Sequence, residues 1–333
     1  MSAAPPVLAL PGVTAELASR LEHGLGRVDD LIRRTVDHDD PLIAEASGHL
    51  SDAGGKRVRP LLTLLAAELG TGINDDVVAA AAGVELTHLA SLYHDDVMDE
   101  ADVRRGVQSA NARYGNSTAI LIGDLLFGKA SELIAGLGAE AVLIQAQTFV
   151  RLCAGQIRDD RPCPVGVDPV EHYLGVLADK TGALIATAAR YGAMFSGGTP
   201  EQVEVLRAYG ERLGIAFQLA DDLIDISSEA LESGKTPGTD LREGVETLAV
   251  LHAKASTAPA DARLRELLAQ DLHEDGLHAE ALGLLRSNVA LEQARAETQA
   301  VGREAVELLA PLPVGDARAA LEALVTSVID RVG

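Results

Sequence analysis

The chain has no tryptophan and only four phenylalanines and five tyrosines in 333 residues. So few aromatic faces leave the chain poorly equipped for chemistry that relies on ring quadrupoles to steady a travelling cation. Cysteine is nearly absent: Cys153 and Cys163 stand alone. They rule out a disulfide framework and a four-ligand zinc site, and they read as a reduced, cytoplasmic protein. Cys153 is expected in the core and Cys163 in a loop. Basic residues are scarce, 28 Lys and Arg against 50 Asp and Glu for a net charge of -22. A nucleic-acid partner is excluded on that ground, because such a field repels a phosphate backbone. No run reaches the ~18 apolar residues that span a bilayer, so no integral membrane segment is expected. The start, Met1-Ser-Ala-Ala-Pro-Pro, lacks the basic region of a signal peptide. What is plentiful is apolar surface: hydrophobic types make up 47%, enough for a deep core and too much for disorder.

Ala and Leu dominate, and both favour helix. Long Ala/Leu/Val stretches are broken by Gly, Pro and Asp, not by regular hairpin turns. Helices are expected over roughly 14–36, 39–52, 59–70, 75–101, 117–137, 139–158, 168–195, 200–228, 240–254, 258–270, 289–310 and 315–331. Asp168-Pro169 and Thr199-Pro200-Glu201 read as helix starts. The segment 159–168 reads as a surface loop. No linker separates domains, so residues 1–333 are expected to form one all-α helical domain.

Six Asp-Asp pairs occur, at 29–30, 39–40, 75–76, 95–96, 159–160 and 221–222. A bare pair means a solvated helix end or turn. Two pairs carry a third Asp at the fifth position: Asp95-Asp96-Val97-Met98-Asp99 and Asp221-Asp222-Leu223-Ile224-Asp225. Both lie in apolar helical stretches. First and fifth positions are one turn apart, so Asp95 stacks on Asp99 and Asp221 on Asp225. Such like charges repel, and a core tolerates them only when cations neutralise them. All-carboxylate ligation selects hard cations, and Mg²⁺ in particular keeps waters and borrows substrate phosphates.

The scarce cations cluster in Gly54-Gly55-Lys56-Arg57-Val58-Arg59-Pro60, in Arg104-Arg105-Gly106, in Lys180-Thr181-Gly182 and in Gly234-Lys235-Thr236. Each cluster taken alone is more often a solvated face. Gathered near acidic triplets in an acidic chain, they point to an anion held together with metals. Metals, cations and greasy helices describe a site for a diphosphate carried on a hydrocarbon. Charge developing on the leaving group is stabilised, and water is kept from a carbocation. No covalent nucleophile is visible.

In order along the chain, Gly55-Lys56-Arg57-Val58-Arg59-Pro60, Glu85-Leu86-Thr87-His88, His94 through Gly106, Lys180-Thr181-Gly182, Phe217-Gln218 with Asp221 through Asp225, and Gly234-Lys235 resemble the motifs of the trans-isoprenyl diphosphate synthase (polyprenyl synthetase) family, most of all its longer-chain members. The resemblance is dense over residues ~55–245. It implies an isoprenoid synthase-like, all-α bundle whose two Asp motifs face each other across a central cavity. The implied activity is Mg²⁺-dependent, head-to-tail condensation of an allylic diphosphate with isopentenyl diphosphate, by ionisation, condensation and elimination. Carried over, Asp95, Asp99, Asp221 and Asp225 would hold three Mg²⁺ ions, with Asp96 and Asp222 behind them. Arg104, Lys180 and Lys235 would bind the allylic diphosphate. Lys56, Arg59, His88 and Arg105 would bind isopentenyl diphosphate, and Thr181 and Gln218 would line the reacting carbons. A homodimer is implied as well. One departure stands out: family members often carry Lys after Asp-Leu-x-x-Gly, whereas here Gly244 is followed by Val245, with Arg242 as a substitute cation.

Small residues one turn before the first triplet, Ala90 and Ser91, leave room where short-chain members place an aromatic floor. One helical turn, ~5.4 Å, approximates one isoprene unit. The expected product is therefore longer than C20, against C15–C20 as the alternative. A terpene cyclase would want Ser or Thr in place of Asp225 and more aromatic residues. A carboxylate-bridged di-iron bundle needs a second Glu-x-x-His beside Glu85–His88. A non-catalytic subunit would have lost the triplets or the basic loop.

Overall fold

The structure is a computed structural model describing residues 13–228 and 237–332. Its α-helices are α1 (Ala15–Val36), α2 (Pro41–Asp52), α3 (Val58–Ala67), α4 (Asp75–Met98), α5 (Ala110–Tyr114), α6 (Asn116–Ala135), α7 (Ala139–Asp159), α8 (Pro169–Leu177), α9 (Ala183–Phe195), α10 (Pro200–Ser227), α11 (Thr239–Arg242), α12 (Leu248–Ala255), α13 (Ala262–Leu267), α14 (Asp275–Arg286), α15 (Val289–Leu308) and α16 (Asp316–Ile329). Among the described residues the only strands are β1 (Val103–Arg104) and β2 (Val107–Gln108), an antiparallel pair with Arg104 opposite Val107. The chain is all-α. No described helix is long and apolar enough to cross a membrane. Contacts divide the chain into two compact units: Met1–Val150 with Leu184–Gly210 and Leu308–Leu324, and Arg151–Ala183 with Glu211–Glu307 and Val325–Gly333.

Helix starts follow from local chemistry. Asp40 caps α2 through the amides of Leu42 and Ile43, with Pro41 at the first helical position. Asn74 caps α4 through Val77 and Asp168 caps α8 through Glu171. At α10, Thr199 Oγ1 accepts from the Gln202 amide while Gln202 Oε1 accepts from the Thr199 amide, a reciprocal capping box.

In the first unit α4 is buried nearly all round, from Val77 to Ala90. The few aromatics serve there as struts. Tyr93, Tyr191 and Tyr209 are fully buried. Their hydroxyls donate to the carbonyls of Ala46 on α2, Ala141 on α7 and Leu321 on α16. Burial pushes all three phenols up, so they remain donors. In the second unit α10 ends against α14: the Arg286 guanidinium donates to the carbonyls of Ile226 (2.7 Å) and Ser228 (2.6 Å), meeting acceptors that a helix end leaves open.

Several expectations need correction. Residues 168–195 are not one helix; a π-helical turn, Ala178–Gly182, separates α8 from α9. Residues 240–254 break into α11 and α12 because Gly244, at φ 77°, takes a left-handed conformation. Helix α14 was not anticipated, although His278, Ala281, Leu282 and Leu285 bury one face at helical spacing. Cys153 is exposed, not buried.

Helix α3 carries the basic loop at its start, and its seat is cut by a glycine. A Cβ on Gly192 of α9 would stand 2.1 Å from the Thr63 carbonyl oxygen and 2.7 Å from the Ala66 Cβ. Backbone cannot yield there, so Gly192→Ala should lower stability by about 1–3 kcal/mol in chemical denaturation. An unchanged midpoint would contradict this packing.

Candidate active site

The first unit assembles most of the proposed binding residues around α3, α4 and the β1–β2 hairpin. The hairpin turn is Arg105-Gly106, at φ 53° and 77°, the left-handed pair that matches strand twist. Arg in place of the usual Asn or Asp hid this hairpin from a sequence reading. Among the described residues, the non-glycine residues with positive φ are Arg57, Glu100 and Arg105. All three belong to this region, where such strain, of order 1–3 kcal/mol each, is held by surrounding contacts.

Glu85 supplies that hold. It is buried, and its Oε1 accepts from Arg57 Nη1 at 2.9 Å and lies 3.8 Å from Arg105 Nη2. Arg57 also bonds Asp29 (3.0 Å), the Ser51 carbonyl (3.1 Å) and the Ser51 hydroxyl (3.3 Å). Arg105 donates to the carbonyls of Leu50 (2.9 Å) and Gly54. Neither Glu85 nor Arg57 was assigned a role from sequence. A buried acid three residues before His88, in a run otherwise apolar, was the available signal.

One group here has no protein partner to explain it. Arg59 Nε is enclosed and makes no hydrogen bond. Burial, then the neighbouring Arg105, lower its affinity for its proton, opposed by Glu85 and Asp95. His88 is half-buried, and burial followed by Arg59, Arg105, Arg104 and Arg57 drives its imidazole well below the ordinary value. The positive field of these guanidiniums keeps His88 neutral and favours an anion nearby. Lys56 lies exposed on the loop above.

The first acidic triplet divides its labour. Asp96 is fully buried; its Oδ1 accepts from Arg104 Nε at 2.5 Å, and its Oδ2 is enclosed without a partner. Arg104 also approaches Asp99 Oδ2 at 3.8 Å. Asp95 is half-buried and Asp99, at the end of α4, is exposed. Ala90 proves to be sealed in the core at 1% exposure, whereas Ser91 is half-buried with its hydroxyl on the His88 carbonyl at 2.8 Å. Of the two, Ser91 is the position at which added bulk can be read.

The second unit repeats the division on α10. Asp222 is buried, accepting from Gln218 Nε2 at 3.0 Å and from the Tyr173 hydroxyl. Burial raises its carboxyl to about 7, with both hydrogen bonds pulling the other way. Thr181 donates to Gln218 Oε1 at 3.4 Å, so Thr181, Gln218 and Asp222 form one chain. Asp221 meets Arg331 at 3.2 Å. Asp225 is already engaged: its two oxygens accept from the amides of Thr239 (3.2 Å) and Asp240 (3.1 Å). Lys180 Nζ rests on Asp159 at 2.6 Å. Lys235 lies outside the described residues. Arg242, the candidate substitute cation, bonds the His273 carbonyl and Asp275, each at 2.9 Å.

Among the described residues no group of three or more His, Cys, Asp or Glu side chains forms a metal cage by itself. The central Asp of each triplet is turned to protein partners; the outer carboxylates are Asp95 and Asp99 beside Arg104, and Asp221 and Asp225 with contacts of their own. That donor set fits a hard divalent cation completing its shell with water and phosphate oxygen.

The polyprenyl synthetase profile matches residues 40–285. A nonaprenyl diphosphate synthase of Mycobacterium tuberculosis is 48% identical over 320 residues, 96% of either chain. The structure of a geranylgeranyl pyrophosphate synthase from Corynebacterium glutamicum, complexed with calcium and isoprenyl diphosphate, superposes with TM-score 0.87 at 42% identity, covering 96% of this chain and 98% of that one. A decaprenyl diphosphate synthase from Rhodobacter capsulatus gives TM-score 0.87 at 34% identity over 97% and 100%. The chain belongs to the polyprenyl synthetase family. It is a trans-prenyltransferase.

His88 supplies a pH test. Its folded-state value is depressed. Its contribution to stability is therefore complete above the unfolded value of about 6.5 and is lost as pH falls toward the folded one. His88→Gln should flatten the loss of stability between about pH 6.5 and 5 in denaturant titrations. A slope as steep as wild type would contradict a His88 imidazole held below its ordinary value.

Proposed function

We propose that this prenyltransferase joins isopentenyl diphosphate, as nucleophile, to an allylic diphosphate, with Mg²⁺ bound at Asp95, Asp99, Asp221 and Asp225. What supports this reading is the enclosed Nε of Arg59, which has no protein acceptor, together with the family match over residues 40–285. Lys56, Arg59, His88 and Arg105 bind the diphosphate of isopentenyl diphosphate. Arg59 supplies the donor that has no protein acceptor, and Glu85 lies 3.8 Å from the Arg105 guanidinium. Arg104, Lys180 and Lys235 bind the allylic diphosphate. Three Mg²⁺ ions supply Lewis-acid stabilisation of the leaving diphosphate.

In the reaction the allylic C–O bond breaks and the diphosphate leaves with the electron pair. The isopentenyl double bond attacks the allylic cation, and the proton released from the adjacent carbon passes to the departing diphosphate. Thr181 and Gln218 line the reacting carbons, their dipoles ordered by the bond to Asp222. The product, one isoprene unit longer, serves as the next allylic substrate.

A product longer than C20 is supported by the nonaprenyl-forming relative and by the small Ser91 one turn before Asp95. The geranylgeranyl-forming neighbour supports the alternative of C20 or shorter. Incubation with isopentenyl diphosphate, Mg²⁺ and C10, C15 or C20 primers, products resolved by length, decides. Products beyond C20 are expected, and a stop at C20 selects the alternative. Failure to consume isopentenyl diphosphate at all removes the reading. Ser91→Phe should shorten the main product by one or more units; an unchanged length would refute Ser91 as part of the channel.

A homodimer fits the exposed apolar residues Ile120 and Leu121 on α6 and Val142, Leu143 and Val150 on α7. Free thiols at Cys153 and Cys163 fit a reducing cytoplasm.

A further inference from the structure

We infer that Asp179 is a positioning residue: clamped by two arginines of α7, it fixes the π-helical turn that presents Lys180 and Thr181. The inference rests on the proposed role of Lys180 at the allylic diphosphate.

A π-turn carries one residue more than an α-helical turn and is marginal unless something holds it. Here the last two turns of α7 do so. A Cβ on Gly155 would stand 2.6 Å from the Lys180 amide nitrogen and 3.0 Å from its Cα, so only glycine lets α7 lie against the widened backbone. On either side of Gly155, Arg151 and Arg158 take the two oxygens of Asp179. Arg151 Nε donates to Oδ1 at 2.7 Å, and Arg158 Nη2 donates to Oδ2. Arg151 Nη2 continues to the Ala178 carbonyl at 3.3 Å and to Glu211 on α10 at 2.5 Å. The next residue of α7, Asp159, takes Lys180 Nζ at 2.6 Å. Thus Arg151, Gly155, Arg158 and Asp159 form one helix face that grips the turn by its backbone and by both charges.

Asp179 and the Lys180 ammonium are both held against α7, and Thr181, the next residue, begins the chain to Gln218 and Asp222. Without the Asp179 carboxylate, two guanidiniums are left facing each other, and the turn has no electrostatic reason to stay wide. Lys180 would then meet its diphosphate from a relaxed helical register. Isopentenyl diphosphate, bound by other residues, would be unaffected.

The test is steady-state kinetics on full-length Asp179→Asn, Asp179→Glu and Arg158→Gln, varying each substrate separately. Asp179→Asn should raise KM for the allylic diphosphate about tenfold, the scale of one charge-assisted hydrogen bond. KM for isopentenyl diphosphate should stay at the wild-type value. Asp179→Glu should restore most of the loss, and Arg158→Gln should shift the same constant less. Unchanged constants in Asp179→Asn, or an equal rise in both alongside a lower unfolding temperature, would overturn the inference. If Asp179→Asn does not fold, the one-sided shift in the milder Arg158→Gln carries the test, and its absence overturns the inference equally. A wild-type enzyme indifferent to allylic diphosphates would instead sink the reading on which it rests.

Discussion

A carboxylate buried among apolar helices must find a partner, and that constraint organises this molecule. Glu85, Asp96 and Asp222 are all buried. Glu85 is consumed by Arg57 and Arg105, Asp96 by Arg104, and Asp222 by Tyr173 and Gln218. The cost of stripping water from each ion is offset by charge-assisted hydrogen bonds. A helical triplet has one member turned inward and two stacked a turn apart. Internal pairing of the central Asp therefore leaves the outer two to look for charge elsewhere.

The same accounting applies to the cations. Arg57 and Arg105 are spent on structure, and their left-handed backbone conformations are tolerated because Glu85 and the Leu50 and Gly54 carbonyls fix them. Arg59 is the exception, with an enclosed Nε and no acceptor. In the second unit Asp225 is drawn into backbone amides and Asp221 into Arg331. The two outer aspartates of that motif thus have different protein partners.

Much of this was legible in the sequence, for identifiable reasons. Long helices with one dominant period, α1, α7 and α10, lie within a residue or two of where Ala/Leu periodicity and Asp-Pro or Thr-Pro starts put them. The acidic triplets stood out because five-residue spacing has a direct meaning on a helix. What escaped depended on tertiary support. The hairpin turn at Arg105-Gly106 lacks the usual turn residues and exists because its arginine is tied down. The π-turn at Ala178–Gly182 has no sequence period of its own and is imposed by α7. The exposed Cys153 was misread because an apolar helix facing outward resembles one facing in.

The central claim is that the outer carboxylates of both motifs are metal seats completed by a diphosphate. Calorimetric titration of inorganic diphosphate into the enzyme, with and without Mg²⁺, tests it most directly. The account predicts binding that strengthens strongly with Mg²⁺ and loses that dependence in Asp95→Ala and in Asp221→Ala. Equal affinity with and without the metal in wild type, or full metal dependence in both variants, would contradict it.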